Sequence, residues 1–379
     1  MAFSYWEKQW YAAKADITVI GAGLVGSFCA LALSRRFPSA SIQMIDAHAI
    51  PQGASTKNAG FVCTGSASEL LSNINEQGAD ELWALMERRW KGRMLLESFL
   101  TEQHIEWNRA PAYEIFPVSL DASHLACMSQ LTELNHQMYS VTGLEDFFLP
   151  GSEHPDHRSS AANLWRDDIK TISQYEEGQI QPVALLMKLH EILRGSGVRI
   201  LTGFRAMQYE ETDTGLAILG NQDTRLLTDR IVIATNAFTR DLLPSARVTA
   251  VRNQVIVSQR LSTMPAACIH MDRGYYYFRN VGSRLLAGGG RHRLGNDEIT
   301  STLATSAGAK THLQDIALQT FQMESFEVAH HWSGILGLSP GLGPSVTQLE
   351  DRVYTAVGMG GMGLAIASQL AIEMADLLE

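Results

Sequence analysis

Three observations predict an α/β fold of two interleaved domains for this 379-residue chain. A glycine-rich strand-to-helix turn lies near the amino terminus, a second lies close to the carboxyl terminus, and the apolar run 230–237 between them reads as a further buried strand of the same sheet. The intervening stretches have a different character, with strands and turns rich in aromatics, so the chain leaves its first domain and returns to it. Length also favours two units, and neither a repeat nor a proline-rich linker marks a clean boundary.

The opening element is a Rossmann-like βαβ unit. Asp16-Ile17-Thr18-Val19-Ile20 forms its strand and runs into Gly21-Ala22-Gly23-Leu24-Val25-Gly26. Gly21 permits a tight turn, Gly23 clears the place where a pyrophosphate approaches the backbone, and Gly26 lets the helix pack on its strand. Leu24 and Val25 complete the turn, where the helix amino terminus favours phosphate charge. Asp46 ends the next apolar run, Ile42 to Ile45, where a carboxylate accepts hydrogen bonds from ribose hydroxyls and repels a 2'-phosphate. NAD and FAD suit this element alike.

Residues 53–68 form a loop of small residues, and Leu, Trp and Met at helical spacing predict one long helix from Glu69 to about Leu100. Segments 105–118 and 140–175 read as strands and turns around a helix from Ala122 to Tyr139. Pro182 marks a helix start, Gly195 and Gly197 close that helix, and a strand from Val198 to Leu201 follows. Strands at Gln254–Ser258, Tyr275–Arg279 and Arg284–Ala287 then precede a helix near 309–322. Finally Val353 to Val357 enters Gly358-Met359-Gly360-Gly361-Met362-Gly363, and an Ala, Leu and Ile-rich helix runs on.

Composition excludes several classes. A net charge of −10 without lysine and arginine clusters argues against nucleic-acid binding. Cys29, Cys63, Cys127 and Cys268 have no C-x-x-C spacing, so neither a metal site nor a disulfide framework is expected. No apolar run is long enough for a transmembrane segment, and residues 1–14 lack a signal-peptide pattern, so a cytoplasmic location is expected.

The chain resembles, nearly end to end, the D-amino acid oxidase (DAO) superfamily of FAD-dependent amine oxidoreductases, which includes glycine, sarcosine and gamma-glutamylputrescine oxidases. The resemblance is carried by 21–26 with Asp46, by 53–60, by Glu177-Gly178-Gln179-Ile180-Gln181-Pro182, by Ala234-Thr235-Asn236-Ala237 and by 358–363. It implies a Rossmann-like FAD-binding domain of glutathione-reductase type over 14–68, 176–246 and 338–379. Interleaved with it would be an α+β substrate or cap domain over 69–175 and 247–337, containing a mixed or antiparallel sheet. It further implies that Ala54, Ser55, Lys57, Asn58, Ala59 and Gly60 wrap the flavin pyrophosphate and ring, with Lys57 on a phosphate and Thr235 beside the cofactor. Gly358, Gly360, Gly361, Met362 and Gly363 would approach the flavin pyrimidine, where helix-end amides stabilise the negative charge of reduced flavin. The cysteine or histidine that relatives use to bond FAD is missing from the matching places, so non-covalent FAD is expected. Leu336 stands where glycine and D-amino acid oxidases have a carboxylate-binding arginine.

The reaction this resemblance implies is oxidation of the C–N bond of an amine or N-substituted amino acid by hydride transfer to flavin N5, with later hydrolysis of the imine. Oxygen or a quinone or other electron carrier would be the acceptor. Tyr275, Tyr277 and Arg279 fall on one face of a strand, as an aromatic wall and a carboxylate grip. His331 is a further catalytic candidate and Arg252 a neighbour of the ring, while Arg291-His292-Arg293 reads as a solvated turn. Three alternatives remain: an NAD-dependent dehydrogenase, an FAD-dependent dehydrogenase of a 2-hydroxy acid or amino acid, and a flavoprotein subunit without turnover.

Overall fold

The computed structural model describes residues 4–151, 165–221, 224–262, 264 and 266–379; part of the stretch read as strands and turns over 140–175 lies outside them. Its strands form two sheets. In the first, Arg199–Thr202, Ile42–Asp46, Ala15–Ile20, Arg225–Ile233 and Val353–Val357 run side by side and parallel. Ser345–Glu350 adds an antiparallel edge, and the hairpin of Ala206–Thr212 and Gly215–Gly220 pairs with the first half of Arg225–Ile233. Ala15–Ile20 and Val353–Val357 are buried almost throughout, as continuous apolar runs in a parallel sheet must be.

Three helices pack into the core beside this sheet: Leu24–Arg36, Pro182–Gly195 and Gly363–Leu377. Gly26 is the closest approach in the opening unit, since a Cβ there would lie 1.9 Å from the Gly21 carbonyl oxygen. Gln181 caps the second helix by accepting a hydrogen bond from the Ala184 amide at 2.7 Å. The closing helix also meets the long helix Ala79–Glu102, where Gly92 faces the Ala365 carbonyl and accepts from the Ser368 hydroxyl at 2.7 Å.

The second sheet runs in the order Val328–Leu338, Thr249–Ser258, Arg284–Gly289, Tyr276–Val281, Cys268–Met271, Trp107–Phe116, Lys170–Ile180 and Phe61–Val62. It is mixed, because Cys268–Met271 and Trp107–Phe116 are parallel while the other neighbours are antiparallel. Lys170–Ile180 lies wholly in this sheet, so the chain changes sheet after Ile180.

The expected single helix over 69–100 is two helices, Ala67–Gln77 and Ala79–Glu102. Gly78 between them has φ +99°, outside the helical region, and the apolar spacing simply continues on the far side. Tyr275 stands just before its strand, which begins at Tyr276. Among the described residues no helix is long and apolar enough to cross a membrane.

Candidate functional site

A cavity of about 610 Å³ is lined by both sheets and by both glycine-rich turns. From the opening unit, Gly21, Gly23, Leu24, Val25 and Asp46 line it. The following loop contributes Ala54, Ser55, Lys57, Asn58, Ala59 and Gly60. Thr235 joins from the end of Arg225–Ile233, and Gly360, Gly361, Met362 and Gly363 from the closing turn. Gly26 and Gly358 stand behind this lining, the first packing the helix on the turn and the second donating its amide to Asn236 Oδ1 at 3.0 Å.

Two helices begin at this cavity. Gly23 is the N-cap of the opening helix and Met362 of the closing one, and neither offers a side-chain acceptor to its helix. Their first N–H groups lack intrahelical acceptors, and the positive ends of two macrodipoles converge on one space. Ser55 Oγ accepts from the Leu24 amide at 2.8 Å, which fixes the loop 53–60 against the opening helix. A Cβ on Gly360 or Gly361 would meet nothing within 4 Å, so the closing turn offers bare backbone to whatever fills the cavity.

Several residues hold these turns in place. Asp46 accepts from the Ala22 and His48 amides, each at 3.0 Å. His190, which no sequence motif singles out, bonds through Nε2 to the Ala22 carbonyl at 3.0 Å; burial depresses its imidazolium, leaving a neutral ring that donates there. Asn236 has φ +46° and accepts through Oδ1 from the Gly358 amide at 3.0 Å and the Met359 amide at 3.3 Å. It thereby ties the end of Arg225–Ile233 to the closing turn.

The second sheet supplies the opposite wall. Tyr277 lines the cavity, packs edge-on against Phe61 at 5.6 Å, and accepts from Asn253 Nδ2 at 3.1 Å. Burial pushes its phenol well up, so it stays neutral. Gly288 on the adjacent strand makes room for the ring, since a Cβ there would come within 2.3 Å of it.

The other expected catalytic residues are elsewhere. Arg279 is buried beyond the cavity wall, donating to the carbonyls of Gly60 at 3.0 Å and Ile180 at 3.2 Å with its guanidinium 5.8 Å from the Phe61 ring centre. It shares a strand face with Tyr277, but the loop 53–60 covers it. Tyr275 lies outside the lining, against His292 at 4.2 Å. His331 lies outside the lining and bonds through Nε2 to Gln254 Oε1 at 3.0 Å. Arg252 forms a two-pronged pair with Glu298, at 2.9 and 3.0 Å, and lies outside the lining.

Instead, the cavity receives Glu69, Arg89, His270, Arg273 and Arg291. The turn read as solvated therefore contributes one of its arginines to the site. Cys63, Glu177 and His270 bring one donor atom each to within 4.8 Å of one another, a set of metal-binding type that the sequence did not predict. His270 Nε2 is already 2.8 Å from Glu177 Oε2, and burial holds the Cys63 thiol far above its ordinary pKa. His270 and Glu177 thus already partner each other within the cluster.

Residues 16–377 match the family model described as FAD dependent oxidoreductase (DAO). The probable oxidoreductase OrdL of Rhizobium meliloti (strain 1021) is 22% identical over 377 residues, covering 96% of this chain and 83% of that protein. The gamma-glutamylputrescine oxidoreductase of Escherichia coli (strain K12) is 22% identical over 378 residues, with the same coverage of 96% and 83%. Glycine oxidase from Bacillus cereus ATCC 14579 superposes with a TM-score of 0.76 at 16% identity, over 96% of this chain and 95% of that one. The arrangement of two helix starts, bare glycine backbone and a cavity-lining carboxylate at Asp46 fits FAD.

Proposed function

Because the chain belongs to the DAO family of FAD-dependent oxidoreductases, we propose that it oxidises the C–N bond of an amine or N-substituted amino acid. The observation that carries this reading is a single cavity running from both helix starts to the Tyr277 wall. The similarity to an oxidoreductase of gamma-glutamylputrescine supports an amine donor. FAD, when bound, would supply the hydride acceptor for the C–H bond beside nitrogen, whose lone pair would form the C=N bond of an imine open to hydrolysis.

The protein's part is binding and placement. Asp46 would hold the adenosine ribose, while free amides at the two helix starts would face the pyrophosphate and the flavin pyrimidine, favouring negative charge there. Lys57, which lines the cavity from the loop, would offset the phosphate charge. Tyr277, held by Asn253 and Phe61, fixes one side of the substrate space so that the donor carbon stays within reach of the ring.

The purified protein is expected to be yellow, and an amine is expected to bleach its flavin under anaerobic conditions. Protein that takes up no FAD, or holoprotein reduced by 2-hydroxy acids and by no amine, refutes the reading. Readmitting oxygen or adding a quinone then identifies the acceptor by the return of the flavin band.

A further inference from the structure

Every cation on the substrate side of the cavity except one is engaged. Arg89 is buried and donates to the Thr64 carbonyl at 2.7 Å and to Glu69 Oε1 at 3.0 Å. His270 is paired with Glu177. Arg273 is drawn to Asp272 at 3.5 Å and to the Ser72 hydroxyl at the same distance. The Arg291 side chain makes no hydrogen bond or ion pair among the described residues; its guanidinium instead lies over the Tyr275 ring, 4.7 Å from its centre.

The turn that carries Arg291 is built to aim it. Asp272 takes its neighbours, with His292 Nε2 at 2.9 Å and Arg293 at 3.7 Å, and the Gly290 amide donates to the Tyr275 carbonyl at 3.0 Å. With both neighbours held on one side, Arg291 is left facing the cavity. Burial depresses the guanidinium pKa, yet arginine remains charged, so the site contains a partly desolvated cation that Glu69, already paired with Arg89, attracts without bonding. A guanidinium stacked by its face on an aromatic ring keeps its N–H edges free for two parallel bonds to a carboxylate.

We propose that Arg291 determines specificity by gripping a substrate carboxylate, and that the donor is accordingly an amine bearing one. This rests on the amine-oxidation reading above. It moves the anchor to a turn between strands of the second sheet, whereas Leu336, which also lines the cavity, leaves only apolar contact on Val328–Leu338. The adjacent Glu69–Arg89 pair is neutral as a unit, so Arg291 sets the local excess of positive charge.

Benzoate titrated into the holoprotein tests the anchor directly, through the shift of the flavin absorption band and without turnover. Arg291→Met is expected to weaken benzoate roughly a hundredfold, and Arg291→Lys about tenfold, because a point charge replaces the fork. Arg225→Met, which removes an exposed charge outside the cavity lining, should change binding by less than about threefold. Should Arg291→Met fail to retain FAD, the lysine variant carries the comparison. Unchanged benzoate affinity in an FAD-loaded variant overturns the proposal, as does equal reduction of the wild-type flavin by sarcosine and by dimethylamine. If no amine reduces the flavin but benzoate binding still depends on Arg291, the reading of the reaction fails and the anchor stands.

Discussion

Tyr277 and Arg279 sit two residues apart on one strand, and their different fates show what residue-level reading can reach. Period-two alternation correctly places both on one face. What lies above each position depends on remote segments: the Gly60 and Ile180 carbonyls close over Arg279, while Gly288 opens space for the Tyr277 ring. Arg279→Leu is therefore expected to destabilise the protein by roughly 2–4 kcal/mol, having lost two charge-assisted hydrogen bonds. Urea denaturation checks this, and benzoate affinity of the folded, FAD-loaded variant should match wild type. Arg291 was illegible for the converse reason. Arg-His-Arg reads as a polar turn until Asp272 is seen to occupy two of the three side chains. The cofactor glycines were readable because their constraint is local, acting between a strand end and the helix that follows it.

At the scale of elements, the split near Gly78 was hidden because apolar periodicity runs through both helices, and only the backbone angle breaks. Gly78→Ala meets no steric obstacle at Cβ but leaves an alanine at φ +99°, with an expected loss of about 1–2 kcal/mol in the thermal-unfolding free energy. A buried pair joins two strands of the second sheet: His270 on Cys268–Met271 and Glu177 on Lys170–Ile180. Burial alone would lower the His270 pKa, but attraction to Glu177, with Glu114 and Glu69 further off, outweighs it and raises the value. The sign follows from linkage. The pair's contribution is complete below the unfolded histidine value of about 6.5 and is lost as pH rises through the raised folded value. The stability gap between wild type and His270→Gln, measured by denaturant titration across a pH series, should be widest on the acid side of that value and narrow towards alkaline pH.

The whole molecule is two sheets joined across one cavity, so a cofactor filling it would touch both. Removing FAD should lower the unfolding temperature, and titrating it back should restore it by mass action, by about 4 kcal/mol at a thousandfold excess over Kd. Calorimetry on stripped and reloaded protein measures this; an unfolding temperature indifferent to FAD would contradict the bridging role. The interleaved α/β plan was legible from the sequence because its returns are marked, at Arg230–Ala237 and at Val353–Val357, by buried apolar runs ending in small residues. The substrate side left no comparable mark. Its shape depends on how strands from three separate regions lie together, and no local spacing encodes that.

The closing turn carries a consequence for how the protein is made. Gly360 to Gly363 complete a site whose other half is Gly21 to Gly26, and almost the whole chain is synthesised between them. A nascent polypeptide on the ribosome thus displays one half of its flavin cradle long before the other exists. A cradle that needs both halves to hold its ligand can close only after residues 360–363 have been made.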